Sequence, residues 1–388
     1  MKLTLPFVAF LLAMPLAANA QFVRCTSPDG KSSTLQRGKC ASPTDIQTPV
    51  VAAHAQSSTQ AVTQAVTQAV TQSSTQSVAQ AGTQTGMQTG TQAGAQAGAQ
   101  TSSQTSALSQ ARTAFKTQLS FSEAEGGAPT PPASVFRKIS YPSAVGPLAA
   151  YLALDPQDGS RHPAIIWLTG GDCNTIGDVW SPSPPDNDQT AAAYRNAGIL
   201  MMFPSLRGGN NNPGRHEGFY GEVDDVLAAY DYLSRQPYVD PTRIYLGGHS
   251  TGGTLALLTA ELRNPFRAVF AFGPVGDVSG YGTDLLPVDF THTDQRERTL
   301  RSPGYWLASA RGVVFVIEGT GTPSNISALN AMQRISQNAA VHFITVAGAS
   351  HFSVLAPSNE VIARKILNDL PSHKQFEMTA AELQTRVR

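Results

Sequence analysis

The sequence predicts a doubly wound α/β domain built on a mainly parallel sheet, and three observations point to it. Beyond about residue 121, short runs such as Ala164-Ile165-Ile166-Trp167-Leu168 are apolar at every position, as strands buried on both faces must be. Amphipathic stretches of helical length separate these runs, so each strand is followed by a crossover. Finally, the last roughly 260 residues of the 388 suffice for one substantial core. The earlier part of the chain differs in composition and adds a small β-hairpin module, stapled by a disulfide, at the N-terminus.

Residues 1–20 read as a targeting segment. Lys2 precedes an apolar run interrupted by Pro6 and Pro15, and Ala18-Asn19-Ala20 offers the small residues that a signal peptidase requires, so cleavage is expected after Ala20. The run is short for a spanning helix, and no later stretch approaches eighteen apolar residues. The expectation is an exported protein, periplasmic or secreted, without stable membrane insertion. Lys plus Arg and Asp plus Glu each total 27, which leaves no net field for nucleic acid, and no nucleic-acid partner is expected.

Residues 21–42 form the module. Pro28-Asp29-Gly30-Lys31 is a turn signal between the short β-prone runs around Val23 and Leu35, and so small a unit needs a staple. Cys25 and Cys40, in an oxidising compartment, are placed to supply it, which leaves Cys173 as an unpaired, semi-buried residue. Its cysteines and Asp-Gly-Lys turn resemble the short DUF4124 module of exported bacterial proteins. Residues 43–112 are dominated by Gln, Thr, Ala, Ser and Gly, with Ala-Val-Thr-Gln repeated from Ala61 to Gln72, and lack the large apolar side chains needed to offset chain entropy. They read as a disordered linker about 45 Å in root-mean-square span, enough for the module to contact a cell-envelope partner.

Residues 113–388 carry the main domain. The predicted strands are 136–141 and 148–154 as an antiparallel opening pair, then 164–168, 199–203, 243–246, 268–272, 313–317 and 341–346. Helices are predicted over 189–196, 223–235, 253–262, 327–338 and 361–370, and 277–311 is irregular, either a small lid or a surface excursion.

The chemistry centres on Gly248-His249-Ser250-Thr251-Gly252, a Gly-x-Ser-x-Gly pattern with a strand before it and a helix after it. The flanking glycines permit a sharp turn that lifts Ser250 to the carboxyl edge of the sheet as a nucleophile. A serine hydroxyl needs a base, and of eight histidines His351 alone lies in a loop directly after the last strand, in Gly348-Ala349-Ser350-His351-Phe352. Backbone N–H groups must hold the oxyanion. Thr251 supplies one, and the Thr169-Gly170-Gly171-Asp172 loop the other, through Gly171 or Asp172. Two acids remain open for orienting the base: Glu318, at the end of the strand before His351, and Asp277, in Gly273-Pro274-Val275-Gly276-Asp277 after the strand before that. Asp224 and Asp225, opening a helix, read as structural, and Asn325-Ile326-Ser327 as a chance match to a glycosylation acceptor.

From about residue 151 to 370 the chain resembles the prolyl-oligopeptidase-like (S9) branch of the α/β-hydrolase fold. The carriers are Leu206-Arg207-Gly208-Gly209-Asn210, Phe219-Tyr220-Gly221-Glu222-Val223-Asp224-Asp225, Tyr238-Val239-Asp240-Pro241-Thr242-Arg243 and Gly247-Gly248-His249-Ser250-Thr251-Gly252-Gly253. The resemblance implies a Ser-His-acid hydrolase of small esters or peptides that needs no metal or organic cofactor. The chain departs from the pattern at Thr322, where the usual acid stands, and lacks the β-propeller of the branch's peptidases. A second class stays open: a catalytically inactive binding protein of the cell envelope.

Overall fold

The computed structural model describes residues 106–122, 126–282, 286–290, 292–370 and 372–384, together with the backbone of three strands upstream. The signal peptide with its cleavage site, Cys40, and residues 50–105 of the linker lie outside the described residues. Two compact units divide the chain, Met1–Ala52 and Ala53–Arg388.

In the first unit, β1 (Phe22–Thr26) pairs antiparallel with β2 (Ser33–Arg37), the arrangement expected of the hairpin. A third strand, β3 (Ile46–Pro49), adds to the other edge of β1, also antiparallel. This strand falls within the stretch read as linker. Ile46 and Thr48 favour extended backbone, the free edge of β1 offers a ladder, and Pro49 is tolerable at an edge-strand end. The proposed Cys25–Cys40 staple lies outside what is described, since Cys40 and the side chain of Cys25 are not.

The second unit holds an eight-stranded sheet. Its strands are β4 (Phe136–Ser143), β5 (Gly146–Ala153), β6 (His162–Leu168), β7 (Leu200–Pro204), β8 (Val239–His249), β9 (Val269–Phe272), β10 (Val314–Gly319) and β11 (Val341–Val346). The order across the sheet is β11-β10-β9-β8-β6-β7-β5-β4. β5 runs antiparallel to β4 and β7, and the remaining pairs are parallel. Ala164, Ile166 and Leu168 enter the core on one face, with Val223 and Val226 of α3 (Glu222–Leu233) and Leu255 of α4 (Thr251–Leu262). Ile165 and Trp167 enter the core on the other face, with Tyr194 of α2 (Ala192–Asn196) and Ile362 of α7 (Leu355–Asn368). The all-apolar strand is thus the signature of a sheet covered on both sides.

α1 (Ala107–Arg112) also falls within the predicted linker stretch. Its Leu108 is buried in the first core, Ser106 caps the helix and donates to Leu262 O at 3.0 Å, and Arg112 pairs with Asp224 at 2.7 Å. One well-placed leucine and a cap therefore end the linker earlier than composition suggests. Among the described residues no helix is long and apolar enough to cross a membrane.

Candidate active site

β8 ends at His249 and α4 begins at Thr251, leaving Ser250 alone to make the turn, at φ 55° and ψ −113°. That backbone region is strained for any residue with a Cβ. The turn is enforced from both sides: a Cβ on Gly248 would strike the carbonyl of Gly252, and one on Gly252 would strike the carbonyl of Leu168 at the end of β6. Ser250 N donates to Phe272 O at 2.8 Å, tying the elbow to β9.

Glu318 is the fifth residue of β10, and its neighbour in β11 is Thr345. Five residues beyond the end of β11, His351 returns over the sheet edge, and its Nδ1 lies 3.0 Å from Glu318 Oε2. Glu318 is fully buried and His351 is 8% exposed, so the pair is shielded from water. Ser324 Oγ donates to the other carboxylate oxygen at 3.1 Å, and His351 N donates to Pro323 O at 2.7 Å. Gly273, at φ 56°, passes so close that a Cβ there would collide with both Glu318 and the His351 ring.

Asp277 is placed elsewhere. Both its oxygens accept from Arg298, at 2.7 to 2.9 Å, and Oδ1 caps the 3-10 turn Val278–Tyr281 through Ser279 N. The geometry brings Glu318 to the histidine and commits Asp277 to the irregular stretch. A glutamate at the strand end has one methylene more than an aspartate, which suits a carboxylate that starts before the loop held by Thr322.

On the opposite side of Ser250 lies the loop after β6. Gly171 adopts φ 80° with open space where a Cβ would be, and its carbonyl accepts from Thr251 Oγ1 at 2.8 Å. Thr251, first residue of α4, has no intrahelical acceptor for its own N–H. Gly170 N–H is already given to Gln189 Oε1 at 3.0 Å and is not free to hold an oxyanion. The Asp172 carboxylate is held by Asn174 N and Thr175 Oγ1.

The described parts of 277–311 are anchored: beyond the Asp277–Arg298 pair, Gly304 N donates to Gly276 O and Val278 N to Ser302 Oγ. It contains α5 (Gln295–Thr299) and brings Tyr281 to α4, with its hydroxyl 2.7 Å from Thr254 Oγ1. Burial pushes the Tyr281 phenol up, opposed by hydrogen bonds to Thr254 and Ser250. Phe290 is buried, whereas Tyr305 and Trp306 are half-buried.

The other described histidines have different surroundings. His162 pairs with Asp158, His292 with Asp289 and His373 with Asp369, while His216 sits 3.9 Å from Asp172 and His342 stacks on Phe315. Cys173 is buried, and desolvation pushes its thiol up. Asp225 forms a buried two-pronged pair with Arg207, and Asn325 donates to Gly273 O. Sequence reasoning missed Gln189 and the engagement of His249, whose Nε2 lies 2.9 Å from His351 O.

Comparison with known proteins adds a likeness. Residues 185–361 match the model of the Prolyl oligopeptidase family, Peptidase_S9. An uncharacterized peptidase of Bacillus subtilis is 26% identical over 129 residues, 33% of this chain and 47% of that protein. Dipeptidyl-peptidase 5 of Porphyromonas gingivalis is 28% identical over 116 residues, 28% of this chain and 16% of that protein. The chain thus spans less than half the length of these curated relatives. Among solved structures, Porphyromonas gingivalis dipeptidyl peptidase 4 superposes with a TM-score of 0.48 at 19% identity, over 61% of this chain and 35% of that one. A hyperthermophilic esterase from Pyrobaculum calidifontis gives 0.42 at 17% identity, over 61% and 86%. The family match, less than half of the chain, lies across Ser250, Glu318 and His351, and it supports a serine hydrolase similar to the S9 family.

Proposed function

We propose that this chain is an exported serine hydrolase that cleaves small ester or short peptide substrates through an acyl-enzyme on Ser250. The observation that carries the reading is the buried Glu318–His351 hydrogen bond at the same sheet edge as the strained Ser250 elbow. His351 takes the Ser250 hydroxyl proton on Nε2 as Oγ attacks the carbonyl carbon, and Glu318 holds the ring through Nδ1–H and offsets the positive charge that forms. The N–H groups of Thr251 and Gly171 receive the oxyanion. Collapse of the tetrahedral adduct expels the alcohol or amine, which takes its proton from His351. Water then enters by the same route in reverse and releases the acid.

Export rests on Lys2, the interrupted apolar run and Ala18-Asn19-Ala20, and favours the periplasm or the medium. Relatives named as peptidases support peptide substrates, and the shared chemistry keeps esters in play. A fluorophosphonate probe tests the reading: wild type should label and Ser250→Ala should not. Correctly folded wild type that never labels would overturn it in favour of an inactive envelope-binding protein.

A further inference from the structure

A chain of hydrogen bonds passes behind Ser250 and joins its two sides. Gly170 N donates to Gln189 Oε1 at 3.0 Å, Gln189 Nε2 lies 2.7 Å from His249 Nδ1, and His249 Nε2 lies 2.9 Å from His351 O. The ends fix its polarity. A backbone N–H can only donate and a backbone carbonyl can only accept, so the Gln189 carboxamide must present oxygen to Gly170 and nitrogen to His249. His249 in turn must accept at Nδ1 and carry its proton on Nε2. The second Gln189 N–H goes to Asn187 Oδ1 at 2.8 Å, which leaves that amide fully satisfied.

We propose that Gln189 and His249 are positioning residues that hold the Gly170-Gly171 loop and the His351 backbone in a single register around Ser250, with His249 locked as the neutral Nε2–H tautomer. This rests on the reading of Ser250 and His351 as nucleophile and base.

Two further observations fit. The His249 ring packs between Gly170, where a Cβ would abut Nδ1, and the His351 ring, whose centroid is 4.5 Å away. A charged His249 would set two donors face to face at Gln189 and place a cation beside the ring that must itself become positive. Burial first, and the charge of His351 second, hold the His249 imidazole well below its usual range, so it stays neutral. Gln189 is itself placed from the far side, its carbonyl accepting from Trp167 Nε1 at 3.0 Å. The oxyanion loop and the base therefore cannot shift independently, and a misplacement of either would be felt in the transition state more than in substrate binding.

The test pairs a spectroscopic readout with kinetics on the full chain. Nitrogen-15 spectra should show His249 as the Nε2–H tautomer with a slowly exchanging ring proton, and Gln189→Leu should abolish that protection. With a p-nitrophenyl ester, Gln189→Leu and His249→Leu should lower kcat about 10- to 100-fold while KM stays within about threefold. His249→Gln, which keeps an acceptor and a donor, should recover most of the loss. A His249 found protonated on Nδ1, or folded Gln189→Leu and His249→Leu proteins that turn over at the wild-type rate, would overturn the proposal. Inactive wild type would instead sink the hydrolase reading, and the tautomer would still decide whether the chain of bonds exists. Should His249→Leu fail to fold, Gln189→Leu and the wild-type tautomer carry the decision.

Discussion

Glu318 Oε2 stands 3.0 Å from His351 Nδ1, while Asp277, the competing carboxylate, spends both oxygens on Arg298. Replacing the two acids should therefore have opposite signatures. Glu318→Ala should reduce kcat/KM for a p-nitrophenyl ester by about 10³- to 10⁴-fold with little change in melting temperature. Asp277→Ala should instead cost about 3 kcal/mol of stability, because it strands Arg298, and should retain substantial turnover. Steady-state kinetics and thermal melts of both variants separate the roles, and loss of activity confined to Asp277→Ala would contradict the assignment.

Ser250 sits at φ 55°, a conformation that glycine adopts without penalty. Ser250→Gly should abolish fluorophosphonate labelling and raise stability by about 1 kcal/mol, as expected when strain held at a functional position is relieved. Denaturant unfolding of the two proteins measures the gain directly.

Gly273 lies where a methyl group would press on Glu318 and His351 together. Gly273→Ala should lower kcat about 100-fold through displacement of the His351 ring, while the sheet remains folded by circular dichroism. Wild-type activity in this variant would mean that the pair tolerates displacement.

Glu261, on α4, is fully buried, and neither of its carboxylate oxygens has a hydrogen-bond partner among the described residues. Burial pushes its carboxyl well above the usual range. The folded state therefore keeps a proton that the unfolded chain releases at the ordinary carboxylate value, and folding becomes less favourable as pH rises from that value towards the raised one. Glu261→Leu should stabilise the protein by about 1–3 kcal/mol, with the larger gain at the alkaline end of that window. Melting curves across pH test the slope, and identical slopes in both proteins would refute it.

The residues differ in how legible they were. β6 was visible because a strand buried on both faces shows an unbroken apolar run, and the elbow because two backbones approach too closely for anything but glycine. α7 begins at Leu355, six residues before the predicted start at 361, since Pro357 falls in the first turn, where a missing N–H costs little. Sequence could not rank Glu318 against Asp277 as the partner of His351, because the ion pair that holds Asp277 elsewhere is with Arg298, twenty-one residues away. Gln189 belongs to no motif: its neighbours Asp186, Asn187 and Asp188 look like any polar loop, and its meaning lies in His249, sixty residues on. α1 was missed because Leu108, at the end of a polar tract, gains its value only from a partner surface, and β3 because its ladder forms only against β1.

One last consequence concerns force. Ser106 is tied to Leu262 at the C-terminal end of α4, and Ser250 stands at the other end of the same helix, about 18 Å away along its axis. A pull on the chain upstream of Ser106 reaches the domain at that far end, where Leu108 and Arg112 take up the load. Molecules immobilised through their N-terminus should therefore keep Ser250 in register under tension until the α1 clasp itself gives way.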